Sequence, residues 1–103
     1  MLESFTVETF SRHLGDTFRL HHGSSEPLAV KLIEATVLRE VAGKGSSDLQ
    51  VRSPFSIVFR SARDALLSQR IYQVEYDTIG AFELFLVPIG PDRDGQRYEA
   101  VFA

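Results

Sequence analysis

The first part of the chain has the apolar spacing of a short helix. Three apolar residues fall at i, i+3 and i+7 along one helical face: Val7, Phe10 and Leu14. Thr6 precedes them as a suitable N-cap, and Phe5 can pack on Phe10 as a hydrophobic staple. Gly15 follows, and glycine is the usual residue of a left-handed turn at a helix end. The pattern therefore predicts a helix over residues 6–14.

The apolar spacing changes to two after Asp16, which indicates a strand. In "TFRLHH" Phe18 and Leu20 point to one side and the residues between them to the other, as a strand with one solvated face requires. The next stretch, "LAVKLIEATVLREV", is rich in β-branched residues. Its alternation slips around Glu34 and Ala35, which predicts a β-bulge or a strong bend.

The central part of the chain contains the clearest strand pattern. The segment "PFSIVFR" places three large apolar side chains on one face: Phe55, Ile57 and Phe59. Before it, the small polar residues 42–48 predict a loop. After it, "SARDALLSQR" predicts a short helical turn near 62–68, with Ala62, Leu66 and Leu67 directed inward.

The remaining sequence predicts a hairpin and a final strand. The runs "IYQVEY" and "AFELFLV" alternate on either side of "DTIG", and Phe85 and Val87 add apolar residues to the second face of the returning strand. We therefore expect that strand to be central and buried on both faces, covered by the helix or by another sheet. Pro88 is expected to end it, and "GPDRDGQ" to connect it to a strand with Tyr98 and Phe102 facing inward.

These elements together predict a mostly β fold of the α+β class. About six short antiparallel strands and one N-terminal helix favour a small antiparallel barrel or a strongly curled sheet, because closure removes exposed strand edges. The chain has 103 residues and shows no internal repeat or long linker, so we expect a single domain over residues 1–103.

Composition and charge narrow the classes of function. The net charge is −3, with 11 basic residues scattered among 14 acidic ones, so nucleic acid is not expected as a partner. The chain has no cysteine, which excludes disulfides and thiolate chemistry and is compatible with a reducing compartment. The sequence shows neither a signal-peptide pattern nor a membrane-spanning run, so we expect a cytoplasmic protein with no membrane partner.

Several separated motifs resemble an uncharacterised family of short bacterial proteins. They are "PFSIVFRS", a tyrosine-led hairpin, "LFLVPIGP" and "YEAVF", together with the opening "MLESFTVETFSRHLGDTFRL". The resemblance extends over nearly the whole chain and implies a shared fold, but it implies no catalytic residue at any position. Such proteins are associated with bacterial loci that carry phage-tail-like proteins, which implies an accessory or assembly role.

The histidines are the first candidates for a metal or catalytic site, since imidazole serves both as a metal ligand and as an acid or base. His21 and His22 are adjacent on a predicted strand and therefore point to opposite faces, so they cannot readily ligate one ion together. His13 lies apart on the helix, without an acidic residue at a familiar zinc spacing. We therefore interpret all three as ordinary surface or strand-end histidines and not as part of a metal or catalytic site.

Two glycine-containing segments superficially resemble ligand loops. "DRDG" at residues 92–95 has the alternating carboxylates of a calcium loop, but Gly95 and Ala103 fall where an EF-hand needs other residues. "GKGSS" lacks the spacing of a phosphate loop. A hairpin connection and a flexible loop are the better interpretations, and we expect no cofactor and no metal.

Arg60, Glu75 and Glu83 lie on predicted strands, where cross-strand charge pairs are common. The alternative is a polar patch that recognises a partner, with Arg60, His21 and His22 as its candidate residues. The absence of a convergent catalytic set in the sequence favours a non-catalytic protein-binding or assembly module over an enzyme. The alternative is a small-molecule-binding or catalytic barrel, and a homo-oligomer is a further possibility for either.

Overall fold

The computed structural model describes residues 5–23, 26–39 and 53–103. Six antiparallel strands form a closed barrel in the order β1-β2-β3-β6-β5-β4, and this confirms the predicted fold class. A short helix precedes them. The elements are α1 Val7–Ser11, β1 Thr17–His21, β2 Leu28–Val37, β3 Phe55–Ser61, β4 Arg70–Tyr76, β5 Gly80–Asp92 and β6 Gly95–Phe102.

Helix α1 is shorter than the predicted span of residues 6–14. Thr6 caps it as expected, and its backbone N–H donates to Thr9 Oγ1 at 3.0 Å. The helix ends early because the following backbone extends the β1–β2 ladder. Gly15, at φ +90°, donates its N–H to the Leu32 carbonyl at 2.7 Å, and Leu32 donates to the Asp16 carbonyl at 3.0 Å. Leu14, expected to face inward, is therefore 47% exposed.

The helix covers one end of the barrel with an aromatic cluster. Phe10 is fully buried and meets Phe5 edge to face at 5.5 Å between ring centroids, which confirms the predicted staple. Its ring also lies within 6.1 Å of aromatic rings from three strands: Phe55, Phe82 and Phe102. Inward side chains from all six strands join this cluster in a single hydrophobic core.

The bulge predicted in the long second strand is present. The β2–β3 register shifts between Leu32 and Glu34, where the alternation of the sequence slips. An extra residue on one strand bends that strand and increases its twist. The bend lets β2 pair with β1 over its first half and with β3 over its second half.

The prediction that Pro88 ends its strand was wrong. β5 continues to Asp92, and its register with β6 shifts between Pro88 and Gly90. Proline is tolerated at such a bulge because no ladder hydrogen bond is lost there, and Gly90 takes the left-handed φ of +95°. β5 pairs with β4 over residues 80–86 and with β6 over residues 87–92, so its two halves pair with different strands.

The helical turn predicted near 62–68 is a single turn, closed by the Ala65 N–H donating to the Ala62 carbonyl at 3.1 Å. Leu67 packs on the core as predicted, but the inward placement of Ala62 and Leu66 was wrong, since Ala62 is exposed and Leu66 is 78% exposed. Tyr98 explains the irregular path: its hydroxyl donates to the Ala65 carbonyl and accepts from the Leu67 N–H. The loop predicted at residues 42–48 lies outside the described residues.

Within the described ranges, no helix has the length and apolar character needed to cross a membrane.

Candidate functional site

The most elaborate polar arrangement surrounds Arg60 at the end of β3. Its guanidinium forms a bidentate ion pair with Asp92, with Nε 3.1 Å from Oδ2 and Nη2 bonded to the same oxygen. Asp92 Oδ1 accepts the backbone N–H groups of Asp94 and Gly95 at 2.9 and 3.0 Å. These contacts fasten the β5–β6 turn to β3. We call Arg60 with residues 92–95 the Arg60 turn.

The electrostatics of the Arg60 turn are those of a structural ion pair. Hydrogen bonding from Arg60, aided by the Asp94 and Gly95 N–H groups, lowers the pKa of Asp92 from 3.8 to about 2, against the opposing effect of desolvation. The same pair raises the pKa of Arg60. Sequence reasoning considered Glu75 and Glu83 beside Arg60 and missed Asp92, because Arg60 and Asp92 are 32 residues apart and meet only where the β5–β6 turn lies beside β3.

His21 belongs to a second polar group, on β1 and β4. Its Nε2 lies 3.1 Å from Glu75 Oε1, and Arg19 Nε lies 3.5 Å from the same oxygen. The hydrogen bond with His21 and the charge of Arg19 lower the pKa of Glu75. Arg19 also binds Asp77 at 3.0 Å. These pairs are the cross-strand pairing predicted for Glu75.

The three residues of the candidate patch, Arg60, His21 and His22, lie apart on the barrel. Arg60 on β3 lies opposite Lys31 on β2 in the strand register, and Lys31 lies opposite Thr17 on β1. His21 is four residues further along β1, so about 13 Å and two strand spacings separate it from Arg60. His22 follows the end of β1 and is half-buried. The three residues therefore do not converge on one small ligand, and their part in a protein-binding patch stays a prediction.

A third polar group links the helix to β4 and was missed from the sequence. Tyr76 donates its hydroxyl to Asp16 Oδ2 at 2.6 Å, and His13 Nδ1 lies 3.2 Å from the same oxygen. Hydrogen bonding from Tyr76, then from His13, lowers the pKa of Asp16, and it raises that of Tyr76. Beside His13 is an open surface depression of about 370 Å³, also lined by Arg12 and Thr78. Asp16 and Tyr76 are 60 residues apart, so no local motif signals the group.

A different surface lies on the outer face of β4, β5 and β6. Three apolar side chains form it: Ile71 at 58% exposure, Phe85 at 51% and Val101 at 60%. Ile71 and Phe85 are directly opposite across the β4–β5 ladder, and Phe85 and Val101 line one groove. We call these three residues the apolar row. The expectation that β5 is buried on both faces was wrong, because Phe85 is half exposed and neither the helix nor any other described strand packs over it.

The apolar row borders a groove of about 340 Å³. The groove opens between β5 and β6 beyond Val87 and Glu99, the pair at which their register ends. Its walls include Leu84 and Ala100. Two carboxylates flank the row: Glu83, in the groove wall, and Glu99, two residues before Val101 on β6. Among the described side chains, neither carboxylate has an ion-pair partner.

No group of three or more His, Cys, Asp or Glu side chains in the described part of the chain is arranged to hold a metal ion. The family described as "Domain of unknown function (DUF6916)" matches residues 5–102. The chain belongs to this family. Membership in DUF6916 agrees with the resemblance to an uncharacterised family and carries no stated activity. No curated protein and no solved structure matches the chain.

Proposed function

We propose that this DUF6916 protein is a non-catalytic binding module that holds another protein against the outer face of β4, β5 and β6. The observation that carries the proposal is the apolar row: Ile71, Phe85 and Val101, each more than half exposed, side by side. Single exposed apolar residues are ordinary on soluble proteins, whereas adjacent ones beside a groove are typical of interaction sites.

The free energy gained by burying the apolar row limits the kind of interface that it can form. Burying the exposed half of a large apolar side chain contributes about 1 kcal/mol, so the three together give about 3 kcal/mol. Association itself costs at least about 4 kcal/mol in lost freedom of motion. The row therefore serves as the centre of an interface and needs polar contacts around it.

The proposal includes the wider biological setting that the family resemblance implies. We assign the module an accessory or assembly role in a phage-tail-like bacterial system, in the cytoplasm. The cysteine-free sequence is compatible with that reducing compartment.

The experiment that tests the proposal is site-specific photo-crosslinking in the native host. A photoreactive amino acid at Val101, in the row, is compared with the same amino acid at Leu66, which is 78% exposed but lies outside the row. We expect one discrete protein adduct from position 101, lost in the Phe85→Ser background, and none from position 66. Equal labelling from the two positions, or no adduct from position 101, would refute the proposal.

A second candidate function is supported by the depression beside His13. Arg12, His13 and Thr78 line it, and Asp16 orients the His13 ring through Nδ1. A small ligand would bind there, outside the barrel, because the described inward side chains pack into one core. A fragment screen by NMR checks this: shifts at Thr9, His13 and Thr78 that vanish in His13→Gln support it, and their absence removes it.

A further inference from the structure

Resting on the proposed function, the structure assigns a chemistry to the partner: we infer that it presents an apolar segment flanked on both sides by lysine or arginine. The apolar side chains would cover the row, and the basic groups would pair with Glu83 and Glu99. The unpaired state of these two carboxylates is the observation behind the inference.

Glu83 and Glu99 lie on opposite sides of the row. Val87 is the next outward-facing residue of β5 after Phe85, and Glu99 lies opposite Val87 on β6. Glu83 is the next outward position on the other side, and it pairs with Gln73. The two carboxylates are therefore offset by about four residues along the strands, or about 13 Å. A partner needs basic groups on both edges of its apolar segment to satisfy them.

The carboxylates of two other polar groups on the barrel are paired. Asp92 binds Arg60, and Glu75 binds Arg19 and His21. Only beside the apolar row do two outward glutamates on neighbouring strands both lack a cation among the described residues. Complementary charge at the edge of an interface directs the approach of the partner and selects against partners of the same sign.

A second copy of this chain does not supply the missing cations from the same face. Among the described residues, Arg97 and Arg70 lie near the row, and each already has contacts within its own chain. Arg97 donates to the carbonyls of Gly90 and Ile89 at 3.2 and 3.5 Å. Arg70 lies over the Tyr72 ring, 5.3 Å from its centroid. Two identical faces would bring unpaired carboxylates together, and nucleic acid or an anionic membrane would be repelled in the same way.

The test uses two fluorescent synthetic peptides with one shared alternating Val/Ile core. One carries two lysines at each end and the other carries two glutamates. Because two exposed ion pairs together are worth about a factor of ten, we expect the lysine peptide to bind about tenfold more tightly at low salt by fluorescence anisotropy. The preference should shrink in 0.5 M salt, and amide NMR shifts should map to residues 71, 83–87 and 99–101.

Charge reversal provides the decisive variant. Glu83→Lys combined with Glu99→Lys should reverse the preference in favour of the glutamate peptide. The matched control is Glu26→Lys combined with Asp64→Lys, which changes the net charge equally at two exposed positions outside the strands and should keep the wild-type preference.

Three outcomes would overturn the inference. Equal binding of the two peptides, or binding of neither, removes the assigned chemistry while the crosslink from position 101 still stands for the proposed function. A dimer seen by analytical ultracentrifugation and dissolved by Phe85→Ser would make a second copy the occupant. Loss of the position 101 crosslink instead refutes the proposed function itself, so the two failures are distinguishable.

Discussion

The Arg60 turn and the apolar row lie on the same barrel and differ in charge pairing, hydrogen bonding and exposure to solvent. At the Arg60 turn, charge is paired, backbone N–H groups are satisfied, and Gly95 is buried against a neighbouring strand. At the apolar row, large side chains are exposed and the adjacent carboxylates are unpaired among the described residues. The contacts of the first region stabilise the barrel, and the second region is the surface that we propose for a partner. Substitutions should separate the two roles.

The largest expected effect comes from Gly95→Ala in the Arg60 turn. A Cβ at Gly95 would lie 1.9 Å from the Ser61 carbonyl oxygen, so the β3–β6 pairing must shift to admit it. We expect the free energy of unfolding to fall by about 3 kcal/mol or more. Arg93→Ala, at an exposed position of the same turn, is the control and should stay within about 0.5 kcal/mol. Urea denaturation measures both, and equal stabilities would contradict the close packing.

A smaller effect is expected from Asp92→Asn, with a defined dependence on pH. The pKa of Asp92 is depressed in the folded state, so the ionised carboxylate stabilises the fold fully above about pH 4, near its ordinary value of 3.8. That contribution is lost as the pH falls toward about 2. We therefore expect the wild type to be more stable than Asp92→Asn at pH 7, with the difference closing between pH 4 and about 2.

Thermal unfolding of the wild type and Asp92→Asn across that pH range gives the measurement. Asp16 and Glu75 also have lowered pKa values, but both are present in the two proteins, so their titration cancels in the difference. A difference that stays constant down to pH 2 would show that Asp92 acts through shape and not through its charge.

The smallest expected effect on stability is that of Phe85→Ser in the apolar row. About half of the Phe85 side chain already contacts water, so the free energy of unfolding should fall by less than about 1 kcal/mol. Leu66→Ser, also exposed, should behave similarly. Chemical denaturation checks both variants, and a loss of several kcal/mol at Phe85 would place it with the core and remove the contrast between the two regions.

Local pattern was sufficient for most of the fold. Alternation in "PFSIVFR" and "IYQVEY" reports which side chains face the core, and a slip of that alternation at Glu34 marked the bulge in β2. The staple between Phe5 and Phe10 was also readable, because its members are neighbours in sequence. Each of these features depends on residues within a few positions of one another.

The errors share a different cause. Apolar residues on both faces of β5 are consistent with burial on both sides or with an exposed interaction surface. Sequence alone does not tell whether Phe85 is buried or exposed. Pro88 suggested a strand end because its tolerance at a bulge depends on the register with β6. The pairs Arg60 with Asp92 and Tyr76 with Asp16 join distant residues, so the candidate site could not be assembled before the barrel order was known.

The contacts of Phe102 have a consequence for how this polypeptide matures. Its ring stacks on Phe55 at 4.5 Å between centroids and touches Phe10, so the aromatic cluster joins residues encoded at both extremes of the described chain. A nascent chain on the ribosome cannot complete this cluster, or pair β6 with β3, until residue 102 has emerged from the exit tunnel. Completion of the barrel therefore waits for residue 102 to leave the tunnel, and until that moment the large aromatic surfaces of β3 stay available to chaperones.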